Sequence, residues 1–247
     1  MREFNELAKY LTRSEPKMTG AYRRPRDAAT LILLDRSGAE PKLLFGKRHQ
    51  GHVFMPGMLV FPGGRLDPED RLMKFTGRLD SVSERRLLAG SPKTSKVRVQ
   101  ALALAAIRET CEETGILLGQ SASETLSAPA SGWQPFADAR VSPNLGALTF
   151  FARAITPPGR PRRFDTRFFI ADMKDAIVQR TDIAGPDSEF VELKWLTCAE
   201  ALKENTPAIT KVIVEEVEMR LKAGFPEGLP ASFFYSKHGQ FRRDELI

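Results

Sequence analysis

The chain has 247 residues, a net charge of +6 and a pI near 9.4, with 42% hydrophobic and 28% charged residues. That composition is ordinary for a globular protein with a sizeable core, and it argues against disordered, collagenous and disulfide-stapled classes. The basic balance favours anionic partners without selecting one, and Cys111 and Cys198 form no metal-ligand spacing, which suits a reduced, cytoplasmic setting. The opening segment lacks the apolar core of a signal peptide, and no run approaches the roughly 18 apolar residues of a membrane span.

In chain order, a short helix is expected near residues 4–11. The apolar run 28–35 reads as a buried strand, with 42–48 as its hairpin partner. A short strand around 58–61 enters the glycine loop of "VFPGG". Residues 66–97 are charged and patchy, with helical stretches expected at 68–77 and 81–90. A long helix follows, with Thr94 or Ser95 as its N-cap and Gly115 at its end. Residues 121–132 read as a loop, 148–155 and 163–173 as strands joined by "TPPGRP", and 190–197 as a further strand running into a helix over 198–206. A last helix is expected over 207–222. Mixed rather than alternating elements predict an α+β protein with a mixed sheet flanked by helices. The expected organisation is one domain over 1–247, with a core at 28–205 that carries an insertion at about 66–97, and a helical extension over 206–247.

The long helix carries "AAIRETCEETGILL". At 100° per residue, Glu109, Glu112 and Glu113 share an arc of about 100°. Leu104, Ile107 and Cys111 lie opposite, while Leu102, Ala105 and Ala106 lie toward the acids, so the acids sit in a recess of a helix packed on more than one face. Arg108 can pair with Glu112 at i,i+4, but one arginine cannot neutralise three carboxylates. Repulsion then raises a glutamate pKa unless a cation is present, and hard oxygen ligands suit Mg²⁺ or Mn²⁺ beside phosphates.

"RETCEETGI" resembles the second half of the Nudix box, G-x5-E-x7-R-E-U-x-E-E-x-G-U with U apolar. Arg108, Glu109, Glu112, Glu113, Gly115 and Ile116 match, and "VFPGG" resembles its start. Gly64 lies about 30 residues farther from Arg108 than in the plain pattern, Gln100 stands where an acid is expected eight positions before Arg108, and Thr110 takes an apolar place. With "FMPGMLVFPGGRLDPED", "TPPGRPRRFDTRFF" and "ELKWLTCAEAL", residues 28–205 resemble the Nudix subgroup that includes peroxisomal coenzyme A diphosphatases.

The resemblance implies an α/β/α sandwich, a Mg²⁺ or Mn²⁺ cofactor and hydrolysis of a nucleoside diphosphate linked to another moiety. It implies metal ligation by Glu109, Glu112, Glu113 and the Gly63 carbonyl, orientation of the glutamates by Arg108, and a close approach of loop to helix at Gly64. A later glutamate is expected to act as base or ligand. Glu189 is favoured over Glu192, since their opposite parity lets one at most point inward. Arg48 and Arg163 are candidates for phosphate contacts, as are Arg162 and Arg167. Phe61, with Phe54, Met55 and Met58, is a candidate to stack on a base or pantetheine. His49 and His52 alone make a poor zinc site. The expected partner is a nucleotide-type small molecule, with coenzyme A or an acyl derivative first and NADH or ADP-ribose next. A capped-RNA hydrolase or a catalytically silent ligand sensor are the alternatives. Nucleic acid binding rests on charge alone, no membrane partner is expected, and a homodimer is compatible with the chain.

Overall fold

The computed structural model describes residues 4–14, 20–51, 55–90, 94–178, 183–185, 188–225 and 229–247. The elements in order are α1 (Phe4–Ser14), β1 (Arg26–Asp35), β2 (Lys42–Arg48), β3 (Leu59–Val60), β4 (Gly63–Arg65), α2 (Ser81–Ala89), α3 (Lys96–Thr114), β5 (Ile116–Ser121) and α4 (Gln134–Asp138). They continue as β6 (Val141–Pro143), β7 (Thr149–Ile155), β8 (Phe164–Asp172), β9 (Ala176–Val178), β10 (Phe190–Leu196), α5 (Cys198–Ala201), α6 (Ala208–Lys222), β11 (Ala231–Lys237) and β12 (Gln240–Leu246).

The main sheet runs β10-β2-β1-β8-β7-β11-β12, with β3 added to β2 and β4 to β1; β6-β5-β9 form a second, small sheet. The pairs β1–β8 and β7–β11 are parallel and the rest antiparallel. Strand β1 is covered on both faces, so it reads as an unbroken apolar run. Leu31 and Leu33 point into the core built around α3, whereas Ile32 and Leu34 point into the core that holds Leu7 and Leu11 of α1 and Val212–Val214 of α6. The result is the expected α/β/α sandwich. Among the described residues no helix is long and apolar enough to cross a membrane.

Helix α3 starts where Ser95 accepts a hydrogen bond from the Arg98 N–H and stops at Gly115, whose φ of 72° suits the residue that ends a helix. Residues 101–108 are all buried, and the small side chains of Ala101, Ala103, Ala105 and Ala106 let the helix sit close to β1 and β4.

Three local expectations are corrected. Within 68–77 only Pro68–Arg71 forms a single 3-10 turn. The helix after β10 ends at Ala201 rather than 206. The extension expected to be helical over 206–247 is α6 followed by a β-hairpin. Its turn residues His238 and Gly239 both have positive φ, 53° and 75°, the backbone of a tight hairpin turn. The hairpin adds β11 beside β7, buries Phe234 and brings the Ser232 hydroxyl to Glu216 at 2.5 Å.

Candidate active site

Strand β4 carries the glycine turn across the N-terminal half of β1, with Gly63, Gly64 and Arg65 opposite Thr30, Ala29 and Ala28. That pairing presses the turn against α3. A Cβ on Gly64 would lie 2.4 Å from the Glu109 carboxyl carbon, so only glycine fits without displacing the acid. Next to it, the Gly63 N–H donates to Glu113 Oε2 at 2.8 Å. Gly64→Ala is therefore expected to lower stability by about 1–3 kcal/mol through overpacking and to depress activity more than its loss of stability explains. Parallel melting and turnover measurements check this.

Arg108 is the hub. Its Nη1 donates to Glu109 Oε1 at 2.9 Å and to Glu112 Oε2 at 2.8 Å. Its Nε and Nη2 donate to the two oxygens of Asp70 at 2.7 and 3.1 Å, and Nη2 also donates to the Arg65 carbonyl at 2.9 Å. Asp70 is fully buried and also accepts hydrogen bonds from Trp133 Nε1 at 3.2 Å and from the Asp67 N–H at 2.9 Å. Asp70 and Trp133 are site residues that the sequence reading missed. Gln100 had marked the place of an absent acid, and this is corrected: five residues separate Gly64 from Asp70, the spacing of the pattern's G-x5-E, so the extra chain lies after the acid. Counting forward from Gly64 is the signal that would have found it. Thr110 is tolerated in an apolar place because its hydroxyl donates to the Ala106 carbonyl at 2.8 Å.

The acids outnumber the cations. Burial pushes the Glu109 carboxyl up to about 7, against the pull of Arg108, and the charges of Glu112 and Asp67 push the same way. Burial lifts Glu113 well above the carboxylate range, and the neighbouring charges of Glu189 and Glu109 add to it; the Gly63 N–H and Arg48 pull it down. Such a donor set fits a hard divalent cation, whose charge would favour the ionised form of both acids. Among the described residues no three acidic, histidine or cysteine side chains form a ready-made ligand cage, since Glu109 and Glu112 turn to Arg108. Mg²⁺ does not require one, because it commonly keeps several waters and takes one or two carboxylates.

No protein-family model matches the chain. The crystal structure of a Nudix hydrolase from Alicyclobacillus acidocaldarius superimposes with a TM-score of 0.61 at 27% identity, covering 82% of this chain and 97% of that one. The acyl-coenzyme A diphosphatase NUDT19 of Xenopus laevis is 26% identical over 210 residues, 66% of this chain and 54% of the relative. Human NUDT19 is 27% identical over 224 residues, 72% of this chain and 56% of the relative. In sequence and fold this chain is similar to Nudix hydrolases. It resembles the coenzyme A diphosphatases, and its match spans about half the length of these curated relatives.

Around this cluster, the other candidates divide. Arg48 Nη2 pairs with Glu189 Oε1 at 2.7 Å, and both act electrostatically on Glu113, so the fold brings them to the cluster. Glu192 instead lies half-exposed, 3.9 Å from Lys194. Phe61 is corrected to a core residue: it is 5% exposed and its ring stacks on Phe45 at 4.6 Å. Arg163 is likewise corrected. It is buried, and its guanidinium donates to the carbonyls of Thr156 at 2.9 Å and Arg23 at 2.5 Å, which straps the segment before β1 to β8. Arg167 is buried between Asp27 and Asp165, and Arg162 is exposed. His49 is exposed, with Nδ1 accepting from the Gly51 N–H; Met55 and Met58 are partly buried beside β3. His52 and Phe54 lie outside the described residues.

Proposed function

We propose that this Nudix domain is a Mg²⁺- or Mn²⁺-dependent diphosphohydrolase acting on a nucleoside diphosphate linked to another moiety, with coenzyme A or acyl-coenzyme A as the substrate class. The observation that carries the reading is the surplus of buried carboxylate around one arginine, with Glu113 held against the glycine turn. Similarity to the acyl-coenzyme A diphosphatase NUDT19 supports the substrate class.

Glu109, Glu112 and Glu113, with the Gly63 carbonyl, would hold the metal, which supplies charge neutralisation of the diphosphate and an acidified water. Arg108 fixes Glu109 and Glu112, and Asp70 fixes Arg108 from behind. Gly64 keeps the turn within contact of Glu109. Glu189 accepts the proton of the attacking water while its pairing with Arg48 holds it beside Glu113. The water oxygen bonds to phosphorus, the bridging P–O bond breaks, and two phosphomonoesters leave.

The test is hydrolysis of coenzyme A, acyl-coenzyme A, NADH, ADP-ribose and capped RNA with Mg²⁺ or Mn²⁺. Coenzyme A or its acyl derivative is expected to give the highest kcat/KM. Glu189→Gln is expected to lower kcat about a hundredfold, the lower end for loss of a general base, while Glu192→Gln stays within about twofold, as for a surface change. Tight binding of one compound without cleavage of any would reject the hydrolase reading in favour of a ligand sensor.

A further inference from the structure

A cavity of about 310 Å³ opens beside the glycine turn, and Arg26, Arg65 and Arg71 line it together with Asp27 and Asp67. None of the box glutamates lines it, but it shares a wall with them. The Arg65 carbonyl that borders it accepts from Arg108, Asp67 lies 3.7 Å from Arg108, and Gly64 next to Arg65 abuts Glu109. A group seated in the cavity therefore lies one or two residues along the chain from the diphosphate site, about 7 Å on an extended strand.

The charges there do not cancel. Asp27 is already engaged by Arg98 and by Arg167 at 3.0 Å. Asp67 stands between Arg65 at 3.9 Å and Arg108 at 3.7 Å. Arg26 and Arg71 have no carboxylate partner among the described residues. A concave site with two uncompensated guanidinium groups and a third at its edge selects a compact anion, and the planar fork of arginine matches phosphate oxygens in pairs. The volume stands at the low end for small-molecule sites, which suits a phosphorylated sugar better than a whole cofactor.

We propose that this cavity is a second anion subsite that takes a phosphomonoester carried by the substrate beside its scissile diphosphate. The inference rests on the hydrolase reading above and sharpens it. Coenzyme A carries such a group on the 3′ oxygen of its ribose, whereas NADH and ADP-ribose do not. The subsite thus selects among diphosphates that the carboxylate cluster treats alike.

Calorimetric titration of adenosine 3′,5′-bisphosphate and of adenosine 5′-monophosphate into the full chain tests the subsite without turnover. The bisphosphate is expected to bind about tenfold tighter or more, the worth of a hydrogen bond to a charged group. The ratio is expected to fall near one in Arg26→Ala/Arg71→Ala and to be partly kept in Arg71→Lys. Equal affinity in the wild-type protein, no measurable binding of the bisphosphate, or a ratio that the double variant leaves unmoved would overturn the proposal. Hydrolysis of coenzyme A and dephospho-coenzyme A in the same preparation separates the two readings. A preserved binding ratio with no cleavage of either compound rejects the hydrolase and retains the subsite. Cleavage of both with no binding preference rejects the subsite and retains the hydrolase.

Discussion

Glu113→Gln is expected to cut diphosphate hydrolysis by about a thousandfold, the rate equivalent of losing several kcal/mol of metal-borne charge stabilisation. The same change is expected to raise the melting temperature of the metal-free protein. Glu113 is buried, faces the charges of Glu189 and Glu109, and has its carboxyl pKa lifted in the folded state. A carboxyl whose folded pKa exceeds its unfolded value binds protons more tightly when folded, so it favours the native state at low pH. That contribution fades as pH rises through the window between the unfolded and folded values. For Glu109 the window runs from the ordinary 4.5 to about 7. Metal-free wild type should therefore lose stability between about pH 5 and pH 7 on account of these groups, and Glu113→Gln should flatten the slope. A bound divalent cation favours the ionised form and should flatten it as well. Melting curves across this range, with chelator and with Mn²⁺, measure both effects. A metal-free protein with no such slope, matched by an unchanged Glu113→Gln variant, would refute the electrostatic account.

Asp70→Ala is expected to destabilise the chain by about 3–5 kcal/mol, the usual cost of stripping one partner from a buried ion pair. Arg108 is 4% exposed and rests on Asp70 through two hydrogen bonds, and Trp133 Nε1 uses the same carboxylate. Removal leaves the buried Arg108 Nε and Trp133 Nε1 without an acceptor, while Arg108 keeps Glu109, Glu112 and the Arg65 carbonyl. The melting temperature should fall by about 10 °C or more for a chain of this size. Asp70→Asn separates packing from charge. It keeps the shape and a carbonyl acceptor but not the bidentate pairing, so kcat should fall while the fold persists, because Arg108 aims Glu109 and Glu112. Wild-type turnover in a folded Asp70→Asn variant would show that Asp70 supports the core alone.

Much of this was written in local sequence. Ser95 and Gly115 bracket α3, and Glu109 and Glu113 between them lie in the recess that helical spacing predicts, whereas Glu112 stands exposed at its rim. The fused apolar run of β1 revealed a strand covered on both faces. Asp70 escaped because the acid was sought at a fixed distance before Arg108, whereas the inserted chain separates the two and only tertiary folding rejoins them. Strand β5 escaped because Ile116–Leu118 follows the helix without a break in polarity, and α4 and β6 are too short to show a period. The C-terminal hairpin was marked only by the His238–Gly239 turn, since neither 231–237 nor 240–246 alternates apolar with polar residues. Phe61 and Arg163 were misassigned because side-chain type says nothing about direction. Phe61 turns to Phe45, and Arg163 spends its donors on backbone carbonyls. Glu189 and Glu192 differ by three residues, and spacing alone does not show that Glu189 is the one that pairs with Arg48.

The most direct measurement is a calorimetric titration of Mn²⁺ into metal-free protein at pH 7, in two buffers of different ionisation enthalpy, for wild type and Glu109→Gln/Glu113→Gln. Burial raises the proton affinity of these carboxyls without metal, and ligation must expel the protons they hold. The account predicts saturable Mn²⁺ binding with proton release in the wild type and loss of both in the double variant. Mn²⁺ binding of equal affinity and equal proton release in the two proteins would place the metal elsewhere and contradict it.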